Sequence, residues 1–411
     1  MSASSTNTGS SHAASSTEEI RLEARKWLAD NWSPGMDRSH WLDMVIDRGF
    51  AVPTWPTEWH GLGLSADQGR AIATEFAAVR APGSGQDIHN LWANTLLTFG
   101  TEQLKHKLIR PLLRSEVAMC LLYSEPGAGS DLAGLQTRAE RDGDEYVVTG
   151  QKVWTSGAHL AEYGMLIART DWDVPKHRGI SFFFLPMRQP GIEIRPIRQI
   201  TGEKHFNEVF IDGARVPAEN LLGGLGDGWR VLQTALAYER SVMGDSARGP
   251  RASEDEEFGR TDSKGAEIDL VSLAREYGRA DDPTIRQELM RVHSLRQVNK
   301  WNAARAKAQL KQGTSSPILS LGKLAMSRIL HDGAHLQRLI IGPQAMLAGP
   351  ANPDGDAANF MSLNAYFTSI GGGTDQIQRN IIGERVLGLP KEPELDRDVP
   401  FRNVAKASTT R

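Results

Sequence analysis

Residues able to do chemistry gather in a few short stretches of this 411-residue chain. Residues 121–131 (LLYSEPGAGSD) run from an apolar stretch into a glycine-rich turn with hydroxyls on either side, Ser124 before it and Ser130 after it. Such a turn exposes backbone N–H groups, which can hold the edge of a polar heterocycle or an anion. Residues 151–157 (QKVWTSG) set Trp154 beside Thr155 and Ser156 on a strand leading into a turn; taken alone, an indole there reads as strand packing. In 371–379 (GGGTDQIQR), consecutive glycines precede Thr374 and Gln376. They let a ligand approach the backbone closely, or form a flexible turn between helices. A carboxylate completes the set. On a helix covering 227–241, Leu232, Leu236 and Glu239 fall along one stripe, so Glu239 points where the apolar residues point. A carboxylate is costly to bury unless paired or used, and Arg240 beside it is turned about 100° away. An apolar setting would raise its pKa, which suits a general base near neutrality.

These residues need elements to hold them. Ser16-Thr17-Glu18-Glu19 has capping-box spacing, with Ile20, Ala24, Trp27 and Leu28 on one face behind it, so the first helix begins there. Helical patterns resume from about residue 66 to 113. After Cys120 come short β-rich runs, EYVVTGQKVWTS, YGMLIART, ISFFFLPM, IEIRPIRQI and NEVFIDGARVP, with turn signals at Asp142-Gly143, Pro190-Gly191 and Asp212-Gly213. From Gly228 the patterns are helical again, ending near Pro390. The expected fold class is α+β: a tail at 1–17, an N-terminal helical domain at 18–120, a middle antiparallel β domain at 121–222, a C-terminal four-helix-bundle-like domain at 223–392, and a tail at 393–411. The polar stretch 244–267 is expected to be a solvated surface loop between helices, with a partner-contacting or substrate-lid role as the alternative.

Bulk properties narrow the function. The chain is 40% hydrophobic and 24% charged, with a net charge of −3. No basic stripe is present to neutralise phosphates, so nucleic acid is not an expected partner. No stretch reaches the ~18 apolar residues of a membrane span. A lone cysteine, Cys120, excludes an internal disulfide and a cysteine-based metal cluster; its apolar neighbours make it a core thiol. The polar start lacks an apolar leader core, which makes a cytoplasmic location the expectation.

Taken together, the motifs at 121–131, 151–157 and 371–379 resemble the signatures of the acyl-CoA dehydrogenase family, in the family's order, and the resemblance spans roughly 18–390. It implies FAD as cofactor and an N-terminal helical, middle β and C-terminal helical architecture. In that family the first motif, here with Tyr123, Ser124, Gly129 and Ser130, binds the pyrimidine side of the flavin, and Ser130 also lies near the acyl-CoA. The resemblance places Trp154 on the isoalloxazine with Thr155 and Ser156 beside it, and Thr374 and Gln376 against FAD. Arg279 matches an arginine that reaches the FAD pyrophosphate of a neighbouring subunit, with Arg286 as competitor, and Gln344 matches a glutamine at the adenosine half. Arg240 matches a residue that contacts CoA. The departure from the pattern is Gly372, which stands where many members carry the glutamate base. In a branch resembling the isovaleryl and long-chain enzymes the base sits instead on the helix of Glu239. Gly372 keeps the N–H that the family aims at the thioester oxygen. The stretch 244–267 and the form DDPTIRQ look like the acyl-CoA dehydrogenases that actinobacteria use in lipid and steroid catabolism.

The resemblance therefore implies desaturation of an acyl-CoA thioester to its trans-2-enoyl form, with an electron-transfer flavoprotein as acceptor and a homotetramer or heterotetramer as the assembly. Two alternatives stand beside it: an FAD-binding, non-catalytic subunit of a heteromeric dehydrogenase, and an acyl-CoA oxidase. The sequence leaves the acyl chain open.

Overall fold

The computed structural model describes residues 15–245, 269–311, 318–394 and 396–404. The chain divides into two compact units, one of Met1–Ile197, Lys204–Tyr238 and Asp396–Arg411, the other of Arg198–Glu203 and Glu239–Leu395.

The first unit opens with helices α1 (Thr17–Asn31), α2 (Arg38–Asp47), α3 (Ala66–Ala78), α4 (Gln86–His89), α5 (Leu91–Phe99) and α6 (Glu102–Leu113). The expected capping box starts α1. The Ser16 hydroxyl accepts from the Glu19 N–H at 3.2 Å, and the Glu19 carboxylate accepts from the Ser16 N–H at 2.6 Å. Ser65 and Gln68 repeat the device at α3, and the Thr101 hydroxyl caps α6. Trp41, Phe50, Ile72 and Phe76 form the buried centre of these helices, with Trp27 packed on them.

Strands β1 (Met119–Leu122), β2 (Arg138–Asp142), β3 (Glu145–Ser156), β4 (Tyr163–Arg169), β5 (Ile180–Pro186), β6 (Ile192–Pro196), β7 (Phe206–Pro217) and β8 (Leu221–Leu222) follow. They form one sheet in the order β6-β7-β3-β2-β4-β5-β8, with β1 on β4. Pairing is antiparallel except for β1 beside β4 and the single Arg138↔Arg169 step between β2 and β4. The sequence pattern did not single out β2, whose RAERD buries Ala139 alone. The unbroken apolar run of β5 has a clear cause, because both of its faces are covered. Phe182 and Phe184 join the helical core with Met165 and Ile167, whereas Phe183 and Leu185 join a second core with Leu166, Val209 and Ile211. Gly143 (φ +60°) turns β2 into β3 and Gly191 (φ +84°) turns β5 into β6, as their turn signals predict. Asp212-Gly213 is different. It lies inside β7, where the register steps from Val148↔Ala214 to Thr149↔Asp212 and leaves Gly213 (φ +70°) as a bulge.

Helix α7 (Gly228–Asp245) comes next. Val231, Leu232 and Ala235 are buried in the helical core of this unit, and Leu236 packs against it. Of the expected stripe, Leu232 is buried and Leu236 half-buried, while the Glu239 side chain lies outside the described residues. Most of the polar stretch expected as a loop lies outside the described residues.

The second unit holds α8 (Leu270–Glu276), α9 (Pro283–Lys311), α10 (Ile318–Ile341), α11 (Pro353–Ile370) and α12 (Asp375–Arg385). α10 packs against each of the others, around Leu273, Ile285, Val292, Leu336, Ile340 and Ala358. This is the helical bundle expected of the C-terminal part. Among the described residues no helix is long and apolar enough to cross a membrane.

Candidate active site

In the first unit the two flavin motifs are bonded to each other at three consecutive residues. Lys152, fully buried on β3, donates from Nζ to the Tyr123 carbonyl at 3.1 Å and to Glu125 Oε1 at 2.9 Å. Between these contacts the Ser124 carbonyl accepts the Val153 N–H at 2.9 Å. That N–H is available because β3 bulges here. The register passes from Lys152↔Val209 to Thr155↔Asn207, so Val153 and Trp154 face one residue of β7. Glu125 closes the turn as well as the pair. It bridges to Ala128 through two backbone bonds, and its carboxylate accepts the N–H groups of Gln136 (2.6 Å) and Thr137 (2.9 Å). Burial pushes the Glu125 carboxyl up, but the Lys152 charge and these hydrogen bonds outweigh it and hold it below the usual carboxylate value. Burial also pulls the Lys152 ammonium down, against the pull of Glu125.

The bulge presents the residues expected to meet the flavin. Trp154 adopts φ +62°, a left-handed conformation unusual for a bulky side chain, and is 58% exposed, its ring touching Phe206 edge-on at 6.0 Å. More than half of the indole surface is thus open to a ligand. Ser156 is exposed, while Thr155 is buried and its hydroxyl has no partner among the described residues. The Thr155 carbonyl is held by the Asn207 amide at 3.0 Å. Across the motif, Gly129 and Ser130 are exposed, and a Cβ built on Gly127 or Gly129 would meet nothing within 4 Å. Neither glycine takes positive φ. The fold does not require glycine at either place. The bare turn leaves room for a flat, polar heterocycle to lie against its backbone, and this motif fits a flavin.

Arg169, which the sequence did not single out, is buried at the end of β4 and donates to the carbonyls of Ala133 (2.7 Å), Leu135 (3.3 Å) and Lys176 (3.0 Å). Cys120 is buried in β1 and its thiol is pushed up to about 12 by burial, in keeping with a core role.

In the second unit the glycine loop between α11 and α12 is tightly built. Gly372 (φ +66°) and Gly373 (φ +87°) take left-handed conformations, and a Cβ on Gly373 would lie 2.9 Å from Gln378 Nε2. Gln378 itself is buried and donates to the Gly372 carbonyl at 3.2 Å. The sequence reading passed over it, although its position four residues after Thr374 puts it on the inner face of α12. The Thr374 hydroxyl caps α12 by accepting the Ile377 N–H at 3.2 Å, and Gln376 is exposed in the first turn. The Gly372 N–H has no partner among the described residues. Ser327 of α10 clasps the loop from below, donating to Asp375 Oδ2 and lying against Ser369 Oγ, each at 2.8 Å.

Other expected site residues already have local partners. Arg279 donates to Asp282 (2.8 Å) and to the Leu339 carbonyl (3.3 Å), beside the Asp282 carboxylate that accepts the first N–H groups of α9. Arg286 is exposed. Gln344 is exposed, with Oε1 2.9 Å from the Tyr277 hydroxyl, which donates to Asp354 at 2.6 Å. Glu239 and Arg240 are on α7, but their side chains lie outside the described residues.

Comparison with known proteins gives the same order of parts. The acyl-CoA dehydrogenase N-terminal domain matches residues 11–116, the middle domain 120–213 and the C-terminal domain 268–387. The acyl-CoA dehydrogenase IpdE1 of Mycobacterium tuberculosis is 38% identical over 407 residues, covering 91% of this chain and 98% of that protein. Among solved structures, the Tcur3481-Tcur3483 steroid ACAD aligns with a TM-score of 0.69 at 25% identity, over 91% of this chain and 98% of that one. The ChsE4-ChsE5 complex from Mycobacterium tuberculosis aligns at 0.63 and 29% identity, again over 91% and 98%. Similar over 91% of its length to an acyl-CoA dehydrogenase, with all three domains in order, this chain belongs to the acyl-CoA dehydrogenase family of oxidoreductases, a membership that implies FAD as its cofactor.

Proposed function

We propose that the chain desaturates the α,β bond of an acyl-CoA thioester whose acyl group is steroid-derived. The observation that carries this is the bonding of the two flavin motifs to each other through Lys152, which presents Trp154 and Ser156 on one rigid bulge. The steroid class rests on the likeness to the Tcur3481-Tcur3483 steroid ACAD. In this reading Tyr123, Ser124, Gly129, Ser130, Trp154, Thr155 and Ser156 of the first unit hold FAD; Thr374, Gln376 and Gln344 are FAD contacts of the second unit, and Arg279 reaches the FAD of a neighbouring copy. When bound, FAD supplies the acceptor for the β-hydrogen and its electron pair. Glu239 takes the α-proton, and Arg240 and Ser130 hold the CoA thioester. The Gly372 N–H steadies the negative charge that grows on the thioester oxygen. Electrons leave to an electron-transfer flavoprotein.

Gly372 and the two-component relatives favour a second reading, in which the chain works beside a related subunit that completes the site.

The test is a panel of straight-chain, branched and steroid-derived acyl-CoAs mixed with the FAD-loaded chain under nitrogen, following flavin bleaching. Steroid-derived thioesters should bleach it fastest. If none bleaches the chain alone but one does after a related subunit is added, the second reading holds. If none bleaches it in either state, dehydrogenation by this chain is wrong.

A further inference from the structure

The C-terminal segment, expected as no more than a tail, runs along the loop after β4. The Phe401 N–H donates to the Val174 carbonyl at 2.9 Å, the Arg402 N–H donates to the Trp172 carbonyl at 3.0 Å, and Pro400 pairs with Pro175. Arg402 adds an ion pair with Asp173. Phe401, which begins the short helical turn Phe401–Asn403, is buried. Its ring lies over the Arg169 guanidinium at 3.4 Å, with Trp172 flanking at 5.5 Å.

Two connections lead from this segment to one place. Arg169, under the Phe401 ring, donates to the carbonyls of Ala133 and Leu135. Lys176 Nζ is shared between Asp396 Oδ2 at 3.6 Å, on the segment, and Asp131 Oδ1 at 3.3 Å. Residues 131–135 directly follow Ser130. The Lys176 link is weak alone, since Asp131 is 66% exposed and water screens it. The Arg169 link is the stronger. A buried guanidinium among carbonyl acceptors keeps its geometry only while water is excluded, and Phe401 is one of the groups that excludes it.

We propose that residues 396–403 are a positioning strap for the turn that carries Ser130, acting through Phe401 on Arg169 and through Asp396 on Lys176. Removing the Phe401 ring admits water to the guanidinium, loosens its hold on the carbonyls at 133 and 135, and lets Ser130 drift from the thioester. The consequence for substrate rests on the function proposed above; the mechanical part does not.

The test uses the full chain and two readouts. In Phe401→Ala, amide hydrogen exchange across 127–137 should quicken while β3 and β7 keep their protection. The KM for the acyl-CoA should rise between about ten- and a hundredfold. Phe401→Tyr, which keeps the aromatic face over the cation, should restore both. Should Phe401→Ala fail to fold, Phe401→Val, which fills part of the ring's volume but not its face over the cation, should quicken exchange at 133–137 to a smaller extent. Unchanged exchange at 127–137, or an even loss of protection over the whole sheet, overturns the strap. A parent chain that turns over no acyl-CoA bears on the proposed function alone, because the exchange experiment still decides the strap.

Discussion

Lys152 Nζ lies 2.9 Å from Glu125 Oε1, an ion pair that joins the interior of one flavin motif to the interior of the other. Both side chains are buried, at 0% and 7% exposure, so the pair is poorly screened and neither charge has water to fall back on. The same ammonium holds the Tyr123 carbonyl, so the turn of residues 125–128 and the Trp154 bulge form one bonded object.

Losing one partner should therefore cost far more than losing both. Lys152→Met leaves a buried carboxylate and should destabilise the chain by about 3–5 kcal/mol. Glu125→Gln with Lys152→Met should recover much of that loss, as chemical denaturation of the single and double variants will reveal. The pair also sets an acid limit. The Glu125 carboxyl lies below its ordinary value in the fold. Its contribution is thus complete above the unfolded-state pKa of about 4.3 and fades as the pH falls through the lower folded value. Acid unfolding of Glu125→Gln should lack this component. Additive costs in the two single variants would show that the pair is not coupled.

Trp154 joins conformational cost to exposure. A bulky residue at positive φ is strained by about 1–3 kcal/mol, and the fold gains little from a ring that is 58% exposed. Trp154→Asn, a residue that tolerates the left-handed region, should leave the FAD-free chain equally or more stable. FAD should bind roughly three- to tenfold more weakly, the value of one aromatic stack. Thermal unfolding and FAD titration measure the two halves separately. A variant that loses stability but keeps FAD affinity would make the ring a packing element.

Much of the candidate site was legible because its residues are local in sequence. The hydroxyls at 124 and 130, the indole at 154 and the glycines at 371–373 stand in short contiguous motifs, and the runs that became β3, β4, β5 and β7 show their β character openly. What escaped depends on distant pairing. Lys152 and Glu125 sit in plain view in their motifs, yet 27 residues separate them and only the fold shows that they meet. Arg169 reads as a charge at a strand end until Phe401, far along the chain, is laid over it. Gln378 looks like any polar residue of α12 until the loop turns back above it. β2 hid for another reason, since a strand that buries one residue has almost no apolar pattern.

Asp87 gives a pH dependence of the opposite sign. Burial pushes its carboxyl above the ordinary value, against the hydrogen bonds it accepts from the Thr54 N–H and hydroxyl at 3.1 and 2.6 Å, and its Oδ1 is buried without a partner among the described residues. A carboxyl raised in the fold contributes stability that is present below the unfolded-state pKa of about 3.9 and lost as the pH rises through the folded value. Asp87→Asn should thus gain on the parent as the pH rises from 4 to 8, with roughly 1 kcal/mol between the two ends. Denaturation midpoints of both proteins across that range decide it. A constant difference between the two proteins would mean that Asp87 does not titrate in the fold.

The base is tested through charge rather than packing. On the α7 helix Leu236 and Leu232 stand about one and two turns before Glu239 and pack into the core, and helical spacing sets Glu239 on their stripe in the sequence. Glu239→Gln preserves volume and hydrogen-bonding atoms, so FAD and acyl-CoA should still bind. Substrate-driven flavin bleaching should slow by about 10² to 10⁴-fold, the usual contribution of a positioned base. Adding Gly372→Glu offers a carboxylate from the other element that supplies one in the family. Recovery should be only partial, because Gly372 sits at φ +66° and a side chain there strains the loop that Gln378 ties down. Bleaching at the parent's rate in Glu239→Gln would remove Glu239 from the mechanism and direct the search for a base to a partner subunit.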